Sequence, residues 1–264
     1  MIRRPIYRHW FAPATLISPL YRKVAHAAGP PLLGVLMLQT RFPRPLGDVG
    51  NPDTWPFPVL YQTVSDATVD AVVQAVAPDP IVTDRFREVA QDLVQRGVGL
   101  ITTSCGFLGP LHDRVSAGLP VPLISTSLMQ IPLLRQMYGP ARPIGVLTFD
   151  DVSLSRTHFG PWWDSNLVIQ GLAPESHLFR VIREDRISMD SARAQADVLA
   201  AADRLRVRAP DLCCVILECT NFPPYRGALA DRLGVPVHDL VTLVNWAAWS
   251  ILSAQPGGTG QGEV

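Results

Sequence analysis

The chain carries little charge and no excess of either sign. Lys plus Arg number 23, Asp plus Glu number 23, and charged residues are only 17% of 264. That balance gives no electrostatic footprint for nucleic acid or for an acidic membrane surface. No apolar run reaches the roughly 18 residues of a membrane-crossing helix, so none is predicted. Cysteine is scarce: four residues, at 105, 213, 214 and 219. Their spacing does not make a zinc site, and a chain this long needs no disulfide framework. A reducing cytoplasm is the expected location. There is no Gly-x-Gly-x-x-Gly and no Walker pattern, so nucleotide cofactors lack a cradle. No cofactor and no metal are therefore expected. Asp150 and Asp151 read as helix caps, with no third ligand spaced near them.

What remains is an apolar chain rich in Ala, Val, Leu and Pro, long enough to bury a large core. Residues 1–30 hold five basic residues and no acidic one, with Tyr7, Trp10, Phe11 and Tyr21 interspersed. Pro13 and Pro19 spoil this stretch as a signal-peptide core. It reads as an arm on the body or on a partner subunit, which leaves a homo-oligomer, in the simplest case a dimer, open.

From Pro30-Pro31 onward, short apolar runs alternate with helical periodicity. Strands are expected at 32–38, 59–64, 98–103, 121–125, 143–149, 166–170, 212–217 and 235–239. Helices are expected from about 66, at 84–96, 107–117, toward 138, to about 158, and at 188–207, 224–233 and 241–255. Ser65 is the expected cap of the first. The runs do not alternate in polarity, which suits parallel strands buried on both faces. Strand–helix order of this kind implies an α/β fold. Leu33-Gly-Val-Leu36 and Ile144-Gly-Val-Leu147 open two stretches of similar plan. The expected division is an arm at 1–30, a first lobe at 31–127 plus 240–264, and a second lobe at 128–239.

Two cysteines end apolar strands in matching contexts. Cys105 follows Thr102-Thr-Ser104, and Cys219 follows Glu218 and precedes Thr220-Asn221. Cys213 and Cys214 sit inside a strand and read as core. Ligands of parallel sheets lie beyond the carboxyl ends of the strands, so Cys105 and Cys219 are placed to meet one. A facing thiol and thiolate can remove a proton from one face of a carbon and return one on the other. His112 and His238 were the histidines available to a nucleophilic alternative, and His238, beside Asp239, is the better placed. Trp55, Phe57, Trp162 and Trp163, in the loops 41–58 and 149–165, hint at an apolar or aromatic substrate group.

Thr103-Ser-Cys-Gly-Phe107 and Glu218-Cys-Thr-Asn-Phe-Pro223 together resemble the two cysteine motifs of the aspartate/glutamate/hydantoin racemase superfamily, over about residues 32–255. The resemblance implies two similar parallel-sheet αβα lobes with the active site between them. It implies a cofactor-independent racemase or epimerase, an isomerase of the amino-acid or hydantoin type. Its substrate would be a small carboxylate or carbonyl compound. Cys105 and Cys219 become the acid–base pair. Thr220 becomes the carboxylate binder, with Asn221, Ser104, Gly106 and Phe107 around the two thiols. Gln39 and Thr40 fall at the first strand end of such sites, and Thr148 at the equivalent end in the second half. Glutamate racemases commonly have Cys-Thr-His and Cys-Asn-Thr where this chain has Cys219-Thr220-Asn221 and Cys105-Gly106-Phe107. A malonate-type decarboxylase of the same superfamily, or a non-catalytic carboxylate-binding protein, stands as the alternative.

Overall fold

In the computed structural model the described residues are 32–254, and the expected N-terminal arm lies outside them. Eight short strands form two sheets. They are β1 (Leu33–Met37), β2 (Val59–Thr63), β3 (Leu100–Thr103), β4 (Leu123–Ile124), β5 (Ile144–Leu147), β6 (Leu167–Gln170), β7 (Cys214–Leu217) and β8 (Val237–His238). The first sheet has order β2-β1-β3-β4 and the second β6-β5-β7-β8, and every pairing is parallel. Two like sheets flanked by helices bear out the expected α/β class. The strands were legible because both faces are covered: all residues of β3, β5 and β7 are buried.

The helices are α1 (Val69–Val72), α2 (Pro80–Gln95), α3 (His112–Ser116), α4 (Ile131–Tyr138), α5 (Arg156–Phe159), α6 (His177–Arg183), α7 (Ser191–Arg208), α8 (Arg226–Leu233) and α9 (Leu240–Ala254). α2 starts before its apolar stripe does. Asp79 accepts from the Ile81 N–H at 2.7 Å and Pro80 occupies the first turn, a pairing that fixes the helix start. α1 is capped by Thr68, which accepts from Ala71 N–H, and not by Ser65. α6 was not anticipated.

The repeated Gly-Val-Leu has a packing reason. A Cβ on Gly34 would lie 3.0 Å from Leu93 of α2, and one on Gly145 would lie 2.7 Å from Leu205 of α7. The glycine lets the crossover helix press on the central strand in each sheet. α7 adds Ala194, Ala201 and Ala202 to that buried face. Trimming Leu205 to Ala would open a cavity there at a cost of about 2–5 kcal/mol. On the other face of the first sheet, Leu240, Val241, Val244 and Ala248 of α9 join Leu33, Val35 and Leu100 in one apolar cluster.

Among the described residues no helix is long and apolar enough to cross a membrane.

Candidate active site

The two sheets present the same strand end twice. Leu36 pairs with Thr103 and Leu147 with Leu217. The next residue closes each ladder: Ser104 N–H donates to Leu36 O at 3.0 Å, and Glu218 N–H to Leu147 O at 2.8 Å. Ser104 and Glu218 are thus equivalent, as are Cys105 and Cys219, Gly106 and Thr220, and Phe107 and Asn221.

The two turns interlock across the lobes. Thr220 Oγ1 donates to Ser104 O at 2.6 Å. In the mirrored contact, Gly106 lies against Glu218. A Cβ on Gly106 would sit 2.1 Å from Glu218 O and 2.3 Å from its Oε1. Only glycine permits that approach.

Between the turns is a pocket with about 350 Å³ of atom-free space, partly open to solvent. Cys105, Cys219, Ser104, Gly106, Phe107, Thr220 and Asn221 all line it. Gln39, Thr40 and Thr148 do not. Gln39 is exposed and its Oε1 accepts from Asp66 N–H. Thr40 Oγ1 accepts from Arg44, and Thr148 Oγ1 donates to Glu218 Oε2 at 2.7 Å. Thr40 and Thr148 thus stand behind lining residues, while Gln39 bonds to Asp66 and Ala67, away from the wall. The Ser104 hydroxyl accepts from Leu38 N–H at 2.9 Å.

Burial dominates the electrostatics. It pushes the Cys105 thiol up to about 12, with Glu218 adding to the rise and the Phe107 N–H and Arg44 opposing it. Cys219 is raised well above the ordinary thiol by burial, then by Glu218, Cys105 and Asp48, against the Asn221 N–H. Each thiol therefore has a thiolate-favouring N–H two residues on, another trace of the repeat. Burial lifts the Glu218 carboxyl to about 8, and the Thr148 hydrogen bond opposes this. These shifts all favour the protonated forms, thiol at both cysteines and carboxylic acid at Glu218, near neutral pH.

Glu218 and Arg44 were not among the expected site residues. Arg44 lines the pocket, pairs with Asp48 at 3.1 Å and lies 4.5 Å over the Phe42 ring. Asp48 is 1% exposed and also accepts from Asn221 Nδ2 at 2.7 Å. The Arg44-x-x-x-Asp48 spacing was the available signal. For Glu218 it was a carboxylate directly after four buried strand residues.

Other expectations resolve away from the site. His112 Nδ1 faces Ser125 Oγ at 3.1 Å, and the His238 ring packs edge-on to Tyr138 at 6.4 Å. Burial lowers the His238 pKa, and neither histidine lines the pocket. Trp55 and Phe57 stack at 5.9 Å in the cluster that holds the α9 residues. Trp163 packs edge-on to Phe159 and under Arg156. The loops instead contribute Phe42, Arg44 and Phe149 to the wall. Asp150 accepts from Val152 and Ser153 N–H groups, as a turn cap does, whereas Asp151 accepts from the distant Gly171 N–H and caps no helix. Among the described residues no group of three or more His, Cys, Asp or Glu could hold a metal.

No protein-family model matches the chain. It is 25% identical over 216 residues to a dimethylsulfoniopropionate lyase of Durusdinium sp. clade D, covering 79% of this chain and 71% of that protein. It is 28% identical over 229 residues to dimethylsulfoniopropionate lyase 7 of Emiliania huxleyi (strain CCMP1516), covering 81% of this chain but only 65% of the relative. Among solved structures, unliganded arylmalonate decarboxylase aligns with a TM-score of 0.53 at 15% identity, over 86% of this chain and 94% of that one. Glutamate racemase from Thermus thermophilus in complex with β-chloro-D-alanine aligns at 0.53 and 20% identity, over 85% and 81%. These likenesses show a shared fold, the two parallel-sheet αβα lobes that the resemblance of the cysteine motifs led us to expect.

The expectation of an isomerase is corrected. The named sequence relatives are lyases, not racemases. The physical reason is that both reactions can begin alike, by loss of a proton next to a carboxylate. Their outcome depends on whether the neighbouring carbon of the substrate carries a leaving group.

Proposed function

We propose that the chain is a lyase acting on small carboxylates of the dimethylsulfoniopropionate type, with Cys105 and Cys219 handling the proton. The observation that carries the reading is two buried thiols, at equivalent strand ends, lining one largely apolar pocket. The lyase relatives support the choice of leaving group.

The reaction is a β-elimination. A thiolate takes the proton from carbon 2, beside the carboxylate. The C–H electron pair becomes the carbon 2–carbon 3 π bond. The carbon 3–sulfur bond breaks, and its electrons leave on neutral dimethyl sulfide. Acrylate remains, and the thiol later returns the proton to solvent. No redox change occurs.

Cys105 is the readier base. Arg44 favours its thiolate, whereas Asp48 adds to the rise at Cys219. Cys219 keeps its proton, with Sγ 3.6 Å from Asn221 Oδ1. A sulfonium at about 5 Å would attract a thiolate by roughly 3 kcal/mol at an effective dielectric constant of about 20. That lowers a thiol pKa by about two units, so the substrate helps to make its own base. Arg44, with N–H groups to spare beyond Asp48 and Thr40, is the cation available to the carboxylate as enediolate charge grows.

The test is incubation with dimethylsulfoniopropionate, reading dimethyl sulfide in the headspace and acrylate in solution. Equal amounts of both, lost in Cys105→Ser, are expected. No sulfide, or carbon dioxide from an arylmalonate instead, overturns the reading in favour of binding or decarboxylation.

A further inference from the structure

We infer that Glu218 is a specificity-determining residue, which selects substrates bearing a positive onium group by offering that group a carboxylate oxygen. This rests on the lyase reading for its substrate class.

The side chain of Glu218 is fully buried and lines the pocket. Oε2 is held by Thr148, while Oε1 has no hydrogen-bond partner. Burying a carboxyl with one oxygen unsatisfied is costly. The equivalent residue of the first lobe is the smaller Ser104, whose hydroxyl is satisfied by Leu38 N–H. The opposite turn has given way to Glu218, because any side chain at residue 106 would collide with Oε1.

The rest of the wall supplies no free countercharge. Leu38, Phe42, Val69, Val73, Phe149 and Ile182 are apolar, suited to methyl groups on an onium centre. Asp48 is engaged by Arg44 and Asn221. Arg183 lies over Phe149 and pairs with Asp150. Tyr225, like the two thiols, is raised to high pKa. Glu218, held near 8, is the acid nearest to ionising. A cation beside Oε1 draws off its proton, so cation affinity must climb with pH and level off once Glu218 is already ionised.

The experiment compares two ligands of one shape, 3-(trimethylammonio)propionate and its uncharged carbon analogue 4,4-dimethylpentanoate, by calorimetry. The unaltered protein should prefer the ammonium ligand by about tenfold or more. That preference should grow from about pH 6 to about pH 8 with proton release on binding. Glu218→Gln should abolish the preference and its pH dependence while still binding dimethylpentanoate, and Glu218→Asp should restore part of both. A preference that is absent or flat with pH in the unaltered protein, or that survives in folded Glu218→Gln, overturns the inference. The unaltered protein decides the pH arm without any variant. A protein that shows the preference but releases no sulfide from dimethylsulfoniopropionate refutes the lyase reading and leaves this role of Glu218 standing.

Discussion

Replacing Glu218 by Gln should change how stability depends on pH, by an amount the structure sets. The carboxyl is lifted from 4.5 to about 8, chiefly by burial. At about 1.36 kcal/mol per pKa unit, ionising it inside the fold costs about 5 kcal/mol more than ionising it in the unfolded chain. The folded protein holds this proton more tightly than the unfolded chain. Stability is therefore complete below about pH 4.5 and declines as pH rises toward about 8. Glutamine keeps the shape and cannot ionise. Urea unfolding of both proteins at about pH 5, 7 and 9 measures the difference. Near pH 5 the two should lie within about 2 kcal/mol, since the amide adds donors that need partners. By about pH 9 the glutamine variant should gain, relative to the unaltered protein, most of that 5 kcal/mol. The raised Tyr225 is common to both and cancels, while the two thiols lose the part of their rise that Glu218 supplies. Parallel stability curves from about pH 5 to 9 would refute the reasoning, because Glu218 would then be ionised or solvated in the fold.

Three further outcomes are expected. Gly106→Ala sets a methyl 2.1 Å from the Glu218 carbonyl oxygen, so the turns must separate. Thermal melts should show a loss of about 3 kcal/mol or more, or no cooperative fold. Thr148→Val removes the hydrogen bond that holds the Glu218 pKa down, so the decline in stability should move to higher pH, measured by the same urea series. The rate of elimination at low substrate should rise about tenfold per pH unit above the Glu218 range, since the base is a thiol held near 12 and only its thiolate reacts; a flat profile from about pH 8 to 10 would contradict a base held that high.

The sheets were readable in the sequence because burial on both faces writes an unbroken apolar run, as in Cys214-Val-Ile-Leu217. The expected ends were generous: residues such as Val121 and Val235 lie outside the observed β4 and β8, whose pairings cover only two residues each. α6 was missed because seven residues between Ser176 and Glu184 give too short a period to register. In the site, the thiols could be found because each stands two residues past the end of an apolar strand. Glu218 was passed over although it directly follows a buried strand, because its close contact with Gly106 of the other lobe is not written in the local sequence. Arg44 was hidden in a proline-stiffened loop whose path depends on Asp48. Trp55 looked like a wall residue, but its indole N–H donates to Val49 O at 3.1 Å and it packs inward. Isomerase and lyase could not be told apart from the cysteines, because the leaving group belongs to the substrate.

The most direct test of thiol-driven elimination is the isotope effect at the carbon that loses the proton. Dimethylsulfoniopropionate deuterated at carbon 2 should release dimethyl sulfide several-fold more slowly than the protiated compound at low substrate concentration. Deuterium on the S-methyl groups should change little. Equal rates for the carbon 2 isotopologues, or no sulfide from either, would contradict proton removal by Cys105 as the step that commits the substrate.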